Sequence, residues 1–177
     1  FAKMLEMGLL LRKSTVAELI EARRFVESQV AALAAERHTS EDRAKLAAIM
    51  SRMAASQGDT KRASELDLLF HLELANACHN TVMNYILKTL GALLREWIDQ
   101  AFSNRELVIT DIIAEHNAVM ESVFARDSKK ARELMEEHIE SASERLFKVA
   151  GRDSVLQVRH FGMVEKTSRI SISVKEE

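Results

Sequence analysis

The stretch Ile109–Ala150, ITDIIAEHNAVMESVFARDSKKARELMEEHIESASERLFKVA, decides how the chain is read. Ile109, Ile112, Ile113, Met120 and Val123 precede Asp127, and Leu134, Met135, Ile139, Leu146 and Val149 follow it. Apolar residues recurring at three and four positions mark two amphipathic helices, and Asp127 is a residue type that caps the start of the second. So short a break favours antiparallel neighbours. Two histidines share these stripes. His116 stands three and four places after Ile113 and Ile112 and four before Met120. His138 has Leu134 and Met135 one turn before it and Ala142 one turn after. His116 lies eleven residues before Asp127 and His138 eleven after it, so an antiparallel hairpin sets the two imidazoles at one height.

The same period extends through the rest of the chain. Val16, Leu19, Ile20, Val26, Val30, Leu33 and Ala34 stripe a first helix from about Thr15 to His38. Thr39-Ser40-Glu41-Asp42 reads as a capping box opening a second helix to about Ala55, and Gln57-Gly58-Asp59 breaks it. A third helix runs from about Lys61 to Cys78. Asn80 caps a fourth, whose face carries Met83, Leu87, Leu90, Leu94 and Trp97 and which ends at Ser103-Asn104. The fifth is expected from about Glu106 to Arg126, and the sixth to Ala150. The chain has no proline and five glycines in 177 residues; ordinary usage would give about nine prolines, and turn-rich β architectures need them. The expectation is an all-α fold, an antiparallel, up-and-down bundle of six or seven helices around a central metal or ligand cavity. Residues 15–150 form this domain and residues 1–14 a linker or short leading helix. The pattern fails after Gly151. Residues 151–177 hold Gly162 and an alternation at Ile170, Ile172 and Val174, which fits a tail, a strand pairing with a partner, or appended sequence.

Charge and composition exclude several classes. Twenty-five basic against 27 acidic side chains leave a net charge of −2, without the basic excess of a domain built mainly to bind nucleic acid. The single cysteine, Cys78, forbids an intrachain disulfide and fits a reducing compartment, hence a cytoplasmic location. No apolar run approaches the ~18 residues of a membrane span, and the opening residues lack the order of a secretion signal. They also lack an initiator methionine, so the chain reads as a piece of something longer.

Chemistry is expected from polar residues on apolar stripes. Asp67 and His71, spaced i, i+4, share a helix face with Phe70, Leu74 and Cys78. With His116 and His138 they can converge on one point. Three imidazole nitrogens and a carboxylate oxygen suit one divalent transition metal, with positions left for water or a small carboxylate. The plainer reading of each residue alone is a packed core histidine or a surface hydrogen bond. Arg23 and Glu27 form another i, i+4 pair on the first stripe. Arg23 either snorkels to solvent or points into the bundle, where its fork can hold a ligand carboxylate with Glu27 steadying it. His38, at a helix end, His79, in a turn, and His160, in the tail, are read as structural.

These residues carry a resemblance. The run from Glu21 to Phe147 is similar to the ligand-sensing C-terminal (FCD) domain of FadR-like transcriptional regulators of the GntR superfamily. The carrying features are Glu21-Ala22-Arg23-Arg24-Phe25-Val26-Glu27, Leu33-Ala34-Ala35-Glu36-Arg37, Asp67-Leu68-Leu69-Phe70-His71, Asn80, Glu115-His116 and Ala131 through His138. The resemblance implies a metal site of Asp67, His71, His116 and His138, usually holding zinc or nickel. It further implies a small organic acid as effector, bound with help from an arginine on the first helix (here Arg23), and a homodimer. DNA would be contacted only through an N-terminal winged helix-turn-helix that nothing in this chain resembles, and no membrane is involved. His79 departs from the glycine that the family often places before the asparagine. The competing expectations are a mononuclear metalloenzyme on a helical bundle, with Glu27 as the one nameable base, and a dimerisation module with packed histidines. No Glu-x-x-His or His-Glu-x-x-His is present to favour a di-iron centre or a zincin.

Overall fold

The computed structural model describes residues 14–56, 58–104 and 108–154, together with Gly8. Six long helices account for nearly all of them: α1 (Val16–Arg37), α2 (Ser40–Ala54), α3 (Thr60–Ala77), α4 (Thr81–Phe102), α5 (Ile109–Phe124) and α6 (Ser128–Ala150). Polar side chains set most of the starts. Thr15 with Glu18 and Thr39 with Asp42 each close a capping box, so the first-turn amides that have no intrahelical partner are satisfied locally. Asp59, Asn80 and Asp127 cap α3, α4 and α6. α5 starts at Ile109 behind Val108, which makes no side-chain cap bond; the expected start near Glu106 lies outside the described residues. Gly151 ends α6 at a φ of +78°, a left-handed conformation that glycine adopts without steric cost.

Pairings along the chain show antiparallel neighbours. α5 and α6 meet through Glu115 and His138, α3 and α4 through Ser64 and Asp99, and α1 and α6 through Arg24 and Glu140. The up-and-down expectation needs one correction. α1 and α2 follow each other in sequence but hardly pack; α1 packs most extensively against α6 and also touches α3, α4 and α5. The three-way hydrogen bonding of Arg126 to the Ala35, Glu36 and His38 carbonyls pins the α5–α6 turn to the end of α1. At the other end, the amides of Val16 and Ala17 donate to the carbonyls of Ser154 and Arg152 at 2.9 and 3.2 Å. The chain's exit thus closes over the start of α1. The expected tail beyond Ser154, with its Ile170–Val174 alternation, and the expected linker or short leading helix over residues 1–14, Gly8 and Ser14 apart, lie outside the described residues.

The core runs between the helices through Leu46, Leu66, Phe70, Leu74, Leu93 and Leu94, all fully buried. No helix is long and apolar enough to cross a membrane, among the described residues. Phe70 has a special place, since its ring stacks on that of His116 with centroids 4.3 Å apart and planes at 21°. Phe70→Ala is expected to lower unfolding free energy by about 3–5 kcal/mol in a urea titration, and a loss below about 1 kcal/mol would contradict this packing.

Candidate functional site

Four side chains from three helices meet in the interior. Asp67 and His71 come from one face of α3, His116 from α5 and His138 from α6, and all four are buried. His116 Nε2 lies 3.1 Å from His138 Nε2, which lies 3.3 Å from His71 Nε2; His116 Nε2 is 3.5 Å from Asp67 Oδ1. One ligand atom from each of the four falls within 4.8 Å of all the others. The i, i+4 spacing on α3 and the equal distances from the α5–α6 turn produce this convergence.

A second layer fixes how the rings present themselves. His138 Nδ1 donates to Glu115 Oε2 at 2.7 Å. His71 Nδ1 meets Glu27 Oε2. Both carboxylates are ionised. Burial pushes the Glu27 carboxyl up, but Arg23 and His71 outweigh it and hold it at about 2. Burial likewise opposes ionisation of Glu115, while His138 and Arg145 bring it to about 2. An ionised carboxylate only accepts, so Nδ1 is the protonated nitrogen in both rings. The Nε2 atoms of His71 and His138, the ring nitrogens left over, then face each other. A metal ion placed between them would satisfy both. A proton serves one pair of acceptors, whereas three nitrogens and an oxygen around one centre match the ligand set of a divalent transition metal. His116 Nδ1, fully buried, has no hydrogen-bond partner, the cost of aiming its Nε2 at the others.

Beside the four lies a cavity of about 40 Å³, lined on its polar side by Arg23, Asp67, His71, His138, Ser143 and Arg145. Arg23 is buried and points inward, so the solvent-snorkelling alternative does not hold. Burial works against its charge, yet Glu27 and then Asp67 raise its pKa further. Glu27, 1% exposed, does more than steady Arg23, because its second oxygen holds His71. Arg145 grips Glu115 with both terminal nitrogens, at 3.2 and 3.0 Å.

The structure therefore brings Asp67, His71, His116 and His138 together and sets Arg23 in the adjoining wall. Sequence reasoning quoted Glu115 only within the family resemblance and gave it no role, and it missed Arg145. The signal for Arg145 was its position two turns after His138, on the same face of α6. His38 and His79 are elsewhere: His38 Nδ1 bonds the Ala34 carbonyl and His79 Nε2 meets Asp42. His160 lies outside the described residues.

Comparison with known proteins follows the same lines. The FCD domain family matches residues 18–141, a span containing all four converging residues. The HTH-type transcriptional regulator LutR of Bacillus subtilis is 27% identical over 139 residues, covering 76% of this chain and 64% of its own. The galactonate operon transcriptional repressor of Escherichia coli is 26% identical over 131 residues, covering 74% and 57%. The structure of Escherichia coli McbR/YncC has a TM-score of 0.67 over 74% of this chain and 63% of its own, at 17% identity, and shares the fold. The chain spans less than two thirds of the length of each.

The buried rings also make stability depend on pH in the metal-free protein. Burial, joined by charged neighbours, holds the His116 pKa well below the usual imidazole range, and burial lowers that of His138 against the pull of Glu115. The unfolded chain therefore binds protons near pH 6.5 that the folded protein does not, and stability falls as pH drops below that value. The slope reaches about 1.4 kcal/mol per pH unit for each ring. Glu27 and Glu115 add to the loss below about pH 4.5, where their unfolded forms begin to protonate. Urea midpoints taken at about pH 7.5 and about pH 5.5 should show the lower value at the lower pH; equal midpoints would contradict the burial of neutral rings.

Proposed function

The chain belongs to the FCD domain family, and from that membership we propose that it is the effector-binding and dimerisation domain of a metabolite-responsive bacterial transcriptional regulator, acting in the cytoplasm. It holds one divalent transition metal, zinc or nickel, on Asp67, His71, His116 and His138, and senses a small organic acid. The observation that carries this reading is the pair of imidazoles whose Nδ1 atoms are committed to carboxylates while their Nε2 atoms meet 3.3 Å apart. The relatives support it: one is named for the galactonate operon, galactonate being an organic acid, and another is of the HTH type. DNA is contacted by a helix-turn-helix domain preceding this one in the whole regulator.

A divalent ion on the four ligands supplies an electrophilic anchor for a carboxylate oxygen. The chain's own residues supply the rest. Arg23 offers its planar fork to the effector's carboxylate from α1, and Glu27 keeps that fork oriented while aligning His71. Glu115, braced by Arg145, aligns His138. An anion held between Arg23 on α1 and the ligands on α3, α5 and α6 draws on the most extensive packing in the domain, that of α1 with α6. It shifts the arrangement of a dimer only to the extent that it binds the two arrangements with different affinity.

The metalloenzyme alternative lacks its base. Glu27 already accepts from Arg23 and His71 and is held at about 2, so it takes no proton near neutral pH. The family and the relatives are regulators of transcription, not enzymes.

Elemental analysis of protein purified without an affinity tag is expected to find about one metal per chain, lost in His116→Ala and in His138→Ala. Metal retained in both variants, or no uptake by the wild type from added zinc or nickel, would overturn the assignment. Arg23→Gln should keep the metal but weaken carboxylate binding by about tenfold or more in calorimetry, the loss of a charge-assisted pair. Unchanged affinity would remove Arg23 from the binding role.

A further inference from the structure

Most of the cavity wall is hydrocarbon: Ile20, Ile98, Phe102, Ile112, Ile139 and Leu146 face it. Beyond the metal-binding side chains, its polar groups are the guanidiniums of Arg23 and Arg145 and the Ser143 hydroxyl, which donates to the Glu140 carbonyl. The volume of about 40 Å³ admits about three water-sized groups.

Charge fixes the sign of what enters. Two guanidiniums and a divalent ion bring four positive charges, and Glu27, Glu115 and Asp67 bring three negative ones. One positive charge is left unmatched beside a largely apolar cavity, with Arg23 and Glu27 buried and Arg145 and Glu115 half-buried, where uncompensated charge is costly. A monoanion closes the balance, a dianion overshoots it, and a neutral molecule leaves it open.

Resting on the sensor reading above, we propose that this cavity selects a short, largely apolar monocarboxylate over dicarboxylates and polyhydroxylated sugar acids. Its carboxylate lies toward the metal ligands and Arg23, and its alkyl end against Ile98, Phe102 and Ile139. A hydroxyl beside the carboxylate has the metal or Arg145 to meet. Further hydroxyls would be buried against hydrocarbon without partners, each at a cost of about tenfold in affinity.

The test is calorimetric titration of the zinc-saturated protein, metal content verified, with propionate, lactate, succinate and galactonate, and with propionamide as the uncharged control. Propionate or lactate is expected to bind at least about tenfold more tightly than succinate, galactonate or propionamide. Glu115→Gln removes one negative charge and keeps an oxygen for the His138 Nδ1–H. It should move the succinate-to-propionate affinity ratio toward succinate by about tenfold. Succinate or galactonate binding as tightly as propionate to the wild type would overturn the selectivity while leaving the sensor reading standing. So would a ratio unmoved in metal-loaded Glu115→Gln. If none of the four anions binds the zinc-loaded protein, the sensor reading falls together with the selectivity.

Discussion

Two buried imidazoles that have given away one nitrogen each form the constraint around which the domain is built. Glu27 and Glu115 fix the Nδ1 atoms of His71 and His138, and this aims both Nε2 atoms at one interior point that His116 Nε2 and a carboxylate oxygen of Asp67 also face. Such an arrangement is unfavourable by itself. Lone pairs oppose one another, the charged Glu27 carboxylate is removed from water, and His116 Nδ1 goes without a partner. Packing alone would not select it, because apolar side chains of similar volume would satisfy the same core at less cost. A shared cation would turn each of these liabilities into a ligand or a support for one.

The helices hold this point from several sides. α1 brings Glu27 and Arg23, α3 brings Asp67 and His71, and the α5–α6 hairpin brings His116, Glu115, His138 and Arg145. Glu27 ties two of these sides together, because one carboxylate serves Arg23 and His71 at once. The arginines of the cavity wall are thereby linked to the imidazoles through single carboxylates, Arg23 through Glu27 and Arg145 through Glu115. An anion drawn to either guanidinium would act, through that carboxylate, on the orientation of His71 or His138. Both ends of α1 are anchored as well, by the Arg152–Ser154 carbonyls at its start and by Arg126 at its finish.

Much of this was legible in the sequence, for identifiable reasons. Helix starts could be read because Thr39, Asn80 and Asp127 cap by local chemistry that needs no tertiary partner. The pairing of His116 with His138 could be read because a tight antiparallel hairpin converts equal sequence distance into equal height. The packing of α1 against α6 could not, since periodicity tells which residues turn inward and not what they meet across the core. Glu115 was hidden for a related reason. One residue before His116, it points well off the α5 stripe and looks like a solvated charge; only Arg145 and His138 on α6 give it a role. Arg23 left two readings open because a long side chain on an apolar stripe can reach either way, and its direction is decided by Glu27 and Asp67.

The most direct test of the shared-cation claim is a crystal structure of the zinc-loaded protein with anomalous differences measured at the zinc edge. The expected result is one strong peak within about 2.0–2.2 Å of the Nε2 atoms of His71, His116 and His138 and of an Asp67 carboxylate oxygen. A zinc-loaded crystal with no peak among these four side chains, and with the imidazoles bonded to one another instead, would contradict it.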